Sequence, residues 1–168
     1  MVERSMSYTP FKPTSPRAVA GLGFQQRAFD AFVRSHPDIE FEMVWDYFAK
    51  LNPGLGSKEL AILEKEWGDI TYEVDGVRHW VECCYAMGKK ISRLCEMKRT
   101  RFLGEHRWYC YGFAGTDDMV FIPSMTWNSY TAHIKQEDKS CRIVPLRSIR
   151  NLKKGRLGIE NYWKEVHG

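Results

Sequence analysis

Two acidic residues, Asp69 and Glu82, are spaced so that a β-hairpin would bring them opposite each other. They lie in segment 68–85, GDITYEVDGVRHWVECCY, where two runs rich in β-branched and aromatic residues flank Asp75-Gly76. An Asp-Gly pair readily supplies the two positive φ angles of a type I′ turn, so the segment predicts a hairpin with a two-residue loop. Counting outward from that loop makes Asp69 and Glu82 a non-hydrogen-bonded pair, the closer of the two kinds.

Two carboxylates in such a pair have Cβ atoms only about 4.5 to 5.5 Å apart and repel each other. A fold keeps them there if the strand end frays into water, if one carboxylate is protonated, or if a cation bridges them. The third option is chemistry, because a hard divalent ion such as Mg²⁺ takes one or two carboxylates together with water and substrate phosphates. Under this third option Mg²⁺, or Mn²⁺ in its place, is the expected cofactor.

Alternation along the strands divides the hairpin side chains between two faces. One face is apolar enough to be core and carries Ile70, Tyr72, Val74, Val77, His79, Val81 and Cys83. The other face is more polar and carries Asp69, Thr71, Glu73, Arg78, Trp80, Glu82 and Cys84. Cys84 lies two residues beyond Glu82 on this second face, so we expect its side chain to point toward whatever the carboxylates bind. His79, on the apolar face, is expected to be a core histidine rather than a ligand.

Length and composition indicate one globular domain preceded by an arm. The chain has 168 residues, 43% of them hydrophobic and 14% aromatic, which is ample for a packed core. Residues 1–20 contain three prolines among Ser and Thr and show no apolar period, which predicts a flexible arm and leaves 21–168 as a single domain. No long apolar run or signal sequence is present, and the five cysteines include no CxxC pair. These features predict a cytoplasmic protein with no membrane contact and no disulfide framework.

Charge is distributed unequally between the two halves of the chain. Residues 1–84 contain 9 Lys/Arg and 13 Asp/Glu, whereas residues 85–168 contain 16 and 8. The basic half predicts binding to a polyanion such as DNA, although an ordinary solvated surface explains the charge equally well. The densest basic cluster falls in a segment with helical spacing and consists of Lys89, Lys90, Arg93, Lys98, Arg99 and Arg101.

The other patterns along the chain alternate helices with strands. They predict helices over 22–36, 57–67, 88–102 and 124–136, a strand that breaks into a short helix over 38–52, and strands over 108–113, 119–122 and 142–146. Ser57 is expected to be the N-cap of the second helix, and Gly68 is expected to end it. This order predicts an α/β fold with a central mixed sheet, in which the acidic hairpin is flanked by helices.

The order of elements resembles the PD-(D/E)xK nuclease core, in particular its small Holliday-junction-resolvase-like members. The resemblance consists of Gly68-Asp69-Ile70, ten further residues, and Val81-Glu82-Cys83-Cys84, where the family has an Asp at the end of one strand and Glu-x-Lys on the next. The stretch 22–27, LGFQQR, is similar to the family's first-helix signature, a Gly followed shortly by Glu-Arg. The resemblance covers roughly residues 22–146. It implies that Asp69, Glu82 and the main-chain carbonyl of Cys83 bind the metal.

Two residues depart from the family pattern. Gln26 stands where the family has its first-helix Glu, and Cys84 stands where it has the catalytic Lys. A lysine from the following segment, Lys89, Lys90 or Lys98, would have to replace the missing one, or the site has lapsed.

The resemblance therefore implies a metal-dependent endonuclease that hydrolyses phosphodiesters in DNA, with a homodimer as the candidate assembly. The alternative is a catalytically lapsed nuclease-fold module that binds DNA or assists assembly, including in a phage. A third alternative is a structural protein of a phage or bacterial complex whose proline-containing arm docks on a neighbour.

The sequence gives weaker support to three other kinds of chemistry. Cys84 as a thiolate nucleophile would need a basic partner that the sequence does not assure. A zinc site would draw on Cys83, Cys95, His106, Cys110 and Cys141, but only one pair among them has a spacing close to that of zinc ligands. Base stacking would use aromatic residues whose alternation is more typical of a core, namely Trp108, Tyr109, Tyr111, Trp127 and Tyr130.

The basic half predicts an affinity for DNA that falls steeply with salt. Replacing Lys89, Lys90 and Arg93 together by Gln should make the dependence of log affinity on log salt shallower by about 2.7, because each phosphate contact with duplex DNA contributes about 0.9 to that slope. Fluorescence anisotropy of a labelled duplex across a salt series measures the slope. Absence of binding at low salt, or an unchanged slope in the triple variant, would contradict this interpretation.

Overall fold

The computed structural model describes residues 15–86, 93–95, 102, 104–115, 117–126, 143–145 and 158–168. The helices are α1 (Pro16–Ser35), α2 (Val44–Leu51), α3 (Ser57–Trp67) and α4 (Ile159–His167), and a short 3-10 helix covers Ser124–Thr126. The strands are β1 (Phe41–Met43), β2 (Ile70–Val74), β3 (Val77–Ala86), β4 (Arg93–Cys95), β5 (Arg107–Phe113), β6 (Met119–Pro123) and β7 (Ile143–Pro145).

The described elements form a mixed α/β fold, as predicted. Five strands belong to one sheet in the order β1-β2-β3-β5-β6, and β4 pairs with β7 in a second sheet. The chain divides into two compact units, Met1–Cys83 and Cys84–Gly168, and the boundary falls within β3. The expectation of a single domain over 21–168 stays a prediction. No helix in the described parts of the chain is long and apolar enough to cross a membrane.

Helix α1 begins earlier than the sequence pattern predicted. The Ser15 hydroxyl accepts a hydrogen bond from the Ala18 N–H at 3.1 Å, and Pro16 occupies the first helical position. Both features favour a helix start, because the serine satisfies one otherwise unbonded N–H and proline has none to satisfy. The assignment of residues 16–20 to an extended arm is therefore wrong, and residues 1–14 lie outside the described part of the chain.

The predicted hairpin and its register are confirmed. Strands β2 and β3 pair antiparallel from Val74 opposite Val77 to Ile70 opposite Val81. The loop residues Asp75 and Gly76 have φ angles of 52° and 78°, the positive values that a type I′ turn requires. The Asp-Gly dipeptide therefore fixes the alignment of the whole hairpin.

The segments that precede the hairpin also follow the sequence pattern, with one exception. Strand β1 passes directly into α2, as predicted for 38–52, and β1 pairs antiparallel with β2. Gly68 ends α3 with a φ of 90°, a left-handed conformation that glycine adopts without strain. Ser57 is not the N-cap of α3 as expected, because it is the first helical residue and Gly56 precedes it as the cap.

Helices cover both faces of the hairpin. On the apolar face, the Phe32 ring of α1 lies 6.1 Å from the Tyr72 ring. On the opposite face, Trp80 contacts three rings of α2 and α3, at centroid distances of 4.5 to 5.9 Å, from Tyr47, Phe48 and Trp67. Thr71 and Trp80 are only 0% and 9% exposed. The middle of the second face is therefore core, although this face carries more polar residues than the first.

The second unit contains the antiparallel pair of β5 and β6, which confirms the predicted strands over 108–113 and 119–122. Trp108, Tyr109 and Tyr111 are 8%, 0% and 0% exposed, which confirms the core alternative for these three aromatics. Helix α4, which the sequence analysis did not identify, packs its Tyr162 ring 4.4 Å from the Phe121 ring. Its signal was the apolar spacing of Ile159, Tyr162, Trp163 and Val166.

The basic helix predicted over 88–102 is wrong where the structure describes it. Residues Arg93–Cys95 form β4, and Arg93 lies opposite Pro145 of β7. Pairing with a strand 50 residues away in sequence overrides the local helical spacing, since helix propensity is a weak preference. The other members of the basic cluster, Lys89, Lys90, Lys98, Arg99 and Arg101, lie outside the described residues, as does 127–136 of the predicted helix over 124–136.

The hairpin turn generates a stability prediction. Gly76→Ala should lower the free energy of unfolding by about 1–2 kcal/mol, because an L-residue is strained at this positive φ. An added Cβ meets no atom within 4 Å there, so crowding does not contribute. Gly21→Ala within α1 is the matched control, since its Cβ is equally uncrowded and the change should raise stability by about 1 kcal/mol. Urea unfolding measures both values, and equal effects would contradict the strain argument.

Candidate functional site

Asp69 is hydrogen-bonded through its main chain and its side chain at the open end of the hairpin. Its N–H donates to the Val81 carbonyl at 2.8 Å, and its carbonyl accepts from the Val44 N–H at 2.9 Å. Its carboxylate oxygen Oδ2 accepts from the Cys83 N–H at 2.7 Å. Asp69 therefore connects the start of α2 with β3, and all of these residues belong to the first unit.

The local backbone explains why the Asp69 carboxylate reaches Cys83. Gly68 turns the chain sharply at the end of α3, and β2 begins only at Ile70. Asp69 therefore lies just outside the regular ladder, and its N–H bonds to Val81, the residue opposite Ile70. The predicted regular pair of Asp69 with Glu82 extends the ladder one residue too far. The carboxylate instead bonds to the main chain one residue beyond Glu82.

The Asp69 carboxylate lies in a half-buried, hydrogen-bonded environment. Asp69, Glu82 and Cys83 are all half-buried. A bond of 2.7 Å from an N–H to a carboxylate is charge-assisted and favours the negatively charged form. A carboxylate offers about four acceptor positions, so this bond is compatible with a cation on the same group.

The side chains of Asp69 and Glu82 and the main chain of Cys83 offer oxygen atoms at this end of the hairpin. The N–H and carbonyl of one strand residue point toward the same neighbouring strand, so the Cys83 carbonyl is directed to the side on which Asp69 lies. Two carboxylates and one carbonyl are all oxygen donors, which Mg²⁺ and Mn²⁺ prefer. Among the described residues no group of three or more His, Cys, Asp or Glu side chains could hold a metal. Main-chain oxygen and water would therefore have to complete the coordination of an ion bound here.

The other predicted site residues are placed less favourably or not described. Gln26 is exposed on α1, where its side-chain amide donates to Asp30 of the same helix at 3.0 Å. The neighbouring Gln25 is the buried one, 8% exposed, with its amide nitrogen 3.7 Å from the Met43 sulfur. Cys84 is 5% exposed. Lys90 lies outside the described residues, so its role stays a prediction.

The sequence did not predict the contacts that hold the Arg78 side chain on the second face of the hairpin. Its guanidinium lies 4.1 Å from the centre of the Tyr47 ring and donates to the Thr71 hydroxyl at 3.1 Å. It also lies 3.7 Å from the Glu73 carboxylate, the cross-strand partner that the register predicted. The cross-strand charge pair was visible in the sequence, but the ring above it comes from α2.

Comparison with known proteins gives no assignment. No protein-family model matches the sequence, and no curated protein matches it. The resemblance to the PD-(D/E)xK nucleases thus depends on the few residues of the hairpin and on the order of the elements.

The three bonds of Asp69 generate a prediction that separates its structural and electrostatic roles. Asp69→Ala leaves the half-buried Cys83 N–H without this acceptor and should lower the free energy of unfolding by about 1–3 kcal/mol. Asp69→Asn keeps an acceptor oxygen and should cost less. Urea unfolding in the absence of metal measures both variants, and hydrogen exchange of the Cys83 amide should accelerate only in Asp69→Ala.

Asp30→Ala is the control, because Asp30 is an exposed carboxylate that accepts a hydrogen bond from Gln26 of its own helix. Its cost should stay within about 0.5 kcal/mol. An equal, small cost for Asp69→Ala would show that the bond to Cys83 contributes nothing to stability.

Proposed function

We propose that this protein is a PD-(D/E)xK-like, metal-dependent DNA endonuclease. Asp69, Glu82 and the Cys83 carbonyl would hold Mg²⁺ or Mn²⁺ at the open end of the hairpin. The observation that carries the proposal is the 2.7 Å bond between the Cys83 N–H and the Asp69 carboxylate. It supports the proposal because it brings the carboxylate that precedes β2 to the main chain beside Glu82, where the resemblance requires three oxygen donors to converge.

The order of elements in the first unit supports the same function. A helix, α1, precedes an antiparallel β1-β2-β3 arrangement, and the acidic residues stand at the open end of its second and third strands. This is the order that the resemblance implies, with α2 and α3 inserted between β1 and β2.

The chemistry divides between the ion and the chain. A bound divalent ion activates a coordinated water and neutralises charge on the phosphate. Asp69 and Glu82 would orient that ion, and the Cys83 N–H would hold the Asp69 carboxylate in place. Lys90, or alternatively Lys89 or Lys98, would supply the positive charge that the strand lysine supplies in the family. The basic cluster would hold the DNA backbone.

A second candidate is a DNA-binding or assembly module on the same fold that does not hydrolyse DNA. Two observations favour it. The buried Cys84 thiol occupies the position of the family's catalytic lysine and offers no cation. The Asp69 carboxylate already has a structural partner in the Cys83 N–H, so its presence does not require a metal.

Nicking of supercoiled plasmid in Mg²⁺ and Mn²⁺ distinguishes the two candidates. For an enzyme, Asp69→Asn and Glu82→Gln should abolish cleavage, because each removes a charged ligand, whereas Cys84→Ala should remain active. One of Lys89→Ala, Lys90→Ala and Lys98→Ala should reduce turnover more than DNA binding. Glu73→Gln is the matched control, since it removes an exposed carboxylate from the same hairpin and should cleave normally.

For a lapsed site, the wild-type protein should bind DNA without cleaving it. Cys84→Lys, alone or with Gln26→Glu, should then gain cleavage, because it restores the residues that the family pattern has. Inactivity of the wild type and of both restored variants would contradict the nuclease origin of this hairpin.

A further inference from the structure

Aromatic rings adjoin the acidic end of the hairpin on its second face. Trp67, the last residue of α3, lies 4.5 Å from the Trp80 ring, and Phe48 is stacked on Trp80 at 5.9 Å with an angle of 14° between the rings. Trp80 is 9% exposed, whereas Trp67 and Phe48 both remain partly exposed. We call Phe48, Trp67 and Trp80 the aromatic wall. It leaves part of a large, firmly packed ring surface in contact with solvent.

The aromatic wall lies next to the proposed metal ligands along two separate parts of the chain. Trp67 precedes Asp69 by two residues, so their Cα atoms are at most about 7 Å apart. Trp80 precedes Glu82 by two residues in β3 and lies on the same face, about 6.6 Å away along the strand. A ligand held by the two carboxylates through a cation would therefore have an aromatic surface within reach on one side.

The geometry points to Trp67 as a stacking partner for an unpaired nucleobase whose phosphate lies at Asp69 and Glu82, an inference that rests on the proposed function. A nucleotide meets both parts of this surface, because its base has a π-face and its phosphate binds a carboxylate-held cation. A protein partner would use the ring alone. Trp80 and Phe48 hold the Trp67 ring in place, so little side-chain freedom is lost when a base stacks on it.

Stacking on Trp67 defines the substrate class. In a regular duplex both faces of each base are covered by neighbouring bases, so a base must be unstacked before it can reach a protein ring. The preferred substrate is therefore DNA with an unpaired base next to the bound phosphate, as in a single strand, a bulge or a branch point. Stacking is tolerant of sequence, because every base has a π-face.

Two substitutions of Trp67 test the inference in the full-length protein. Trp67→Leu keeps an apolar side chain but removes the ring, whereas Trp67→Phe keeps a ring. Trp163→Leu is the control, since Trp163 is also half-buried but lies on α4 in the second unit. Fluorescence anisotropy in the presence of Ca²⁺, a hard cation that carboxylate and phosphate oxygens also bind, compares binding of a single strand with binding of its duplex. In the same experiments 2-aminopurine in the single strand reports stacking through quenching of its fluorescence.

We expect Trp67→Leu to weaken single-strand binding by about 5- to 150-fold and to abolish the quenching, with duplex binding unchanged. Trp67→Phe should retain most of the affinity, and Trp163→Leu should behave as wild type. Unchanged single-strand binding and quenching in Trp67→Leu would overturn this inference alone. Equal losses for single strand and duplex would also overturn it, because the ring would then support the fold. Failure of the wild type to bind either DNA would contradict the proposed function itself.

Discussion

The hydrogen bonds of Asp69 join the residue that precedes β2 to two other elements, α2 and β3. Its carbonyl accepts the N–H at the start of α2, its N–H bonds to β3 at Val81, and its carboxylate bonds to β3 again at Cys83. The first bond matters because α2 has no side-chain cap, and the N–H groups of a helix start otherwise need partners. The third is charge-assisted and therefore stronger than an ordinary main-chain bond. One residue thus sets the position of α2 and of the open end of the hairpin.

Helices pack on both faces of the hairpin, so the side chains in the middle of its strands are largely buried. Helix α1 covers one face through Phe32, and α2 with α3 covers the other around Trp80. Polar groups in the middle of the second face form hydrogen bonds within the hairpin. The Thr71 hydroxyl donates to the His79 carbonyl at 2.9 Å and accepts from the Arg78 guanidinium. Asp69, Glu82 and Cys83, at the open end of the hairpin, remain half-buried.

The sequence predicted those features that are encoded locally. The Asp75-Gly76 turn determines the hairpin register, because only two adjacent positive φ angles suit that loop, and Gly68 determines where α3 ends. It did not predict features that depend on distant segments. The second face of the hairpin is buried by rings from α2 and α3, and Arg93–Cys95 is a strand because it pairs with β7. Neither the packing of a helix on a strand face nor the pairing of two strands leaves a pattern in the local sequence.

The candidate site shows the same division. Alternation placed Asp69 and Glu82 at one end of the hairpin, and from the sequence alone their proximity is only a repulsion that some cation or proton must relieve. The bond from the Cys83 N–H supplies part of that relief from the main chain itself. It could not be foreseen, because it depends on Asp69 leaving the ladder after the Gly68 turn.

Asp69 has a structural role besides the proposed metal-binding role, so it does not distinguish the two candidate functions. If Asp69 holds the end of the hairpin in place, both an enzyme and a non-catalytic descendant need it, so its presence favours neither. Cys84 is different, because a buried thiol at 5% exposure is typical of inert packing and supplies no charge to a bound water. An enzyme with this sequence would therefore need a lysine from another segment to supply the positive charge of the family's strand lysine, whereas a module that does not hydrolyse DNA would not need that lysine. The distinction between the two candidate functions thus depends on where a lysine lies relative to Asp69 and Glu82, and not on the carboxylates themselves.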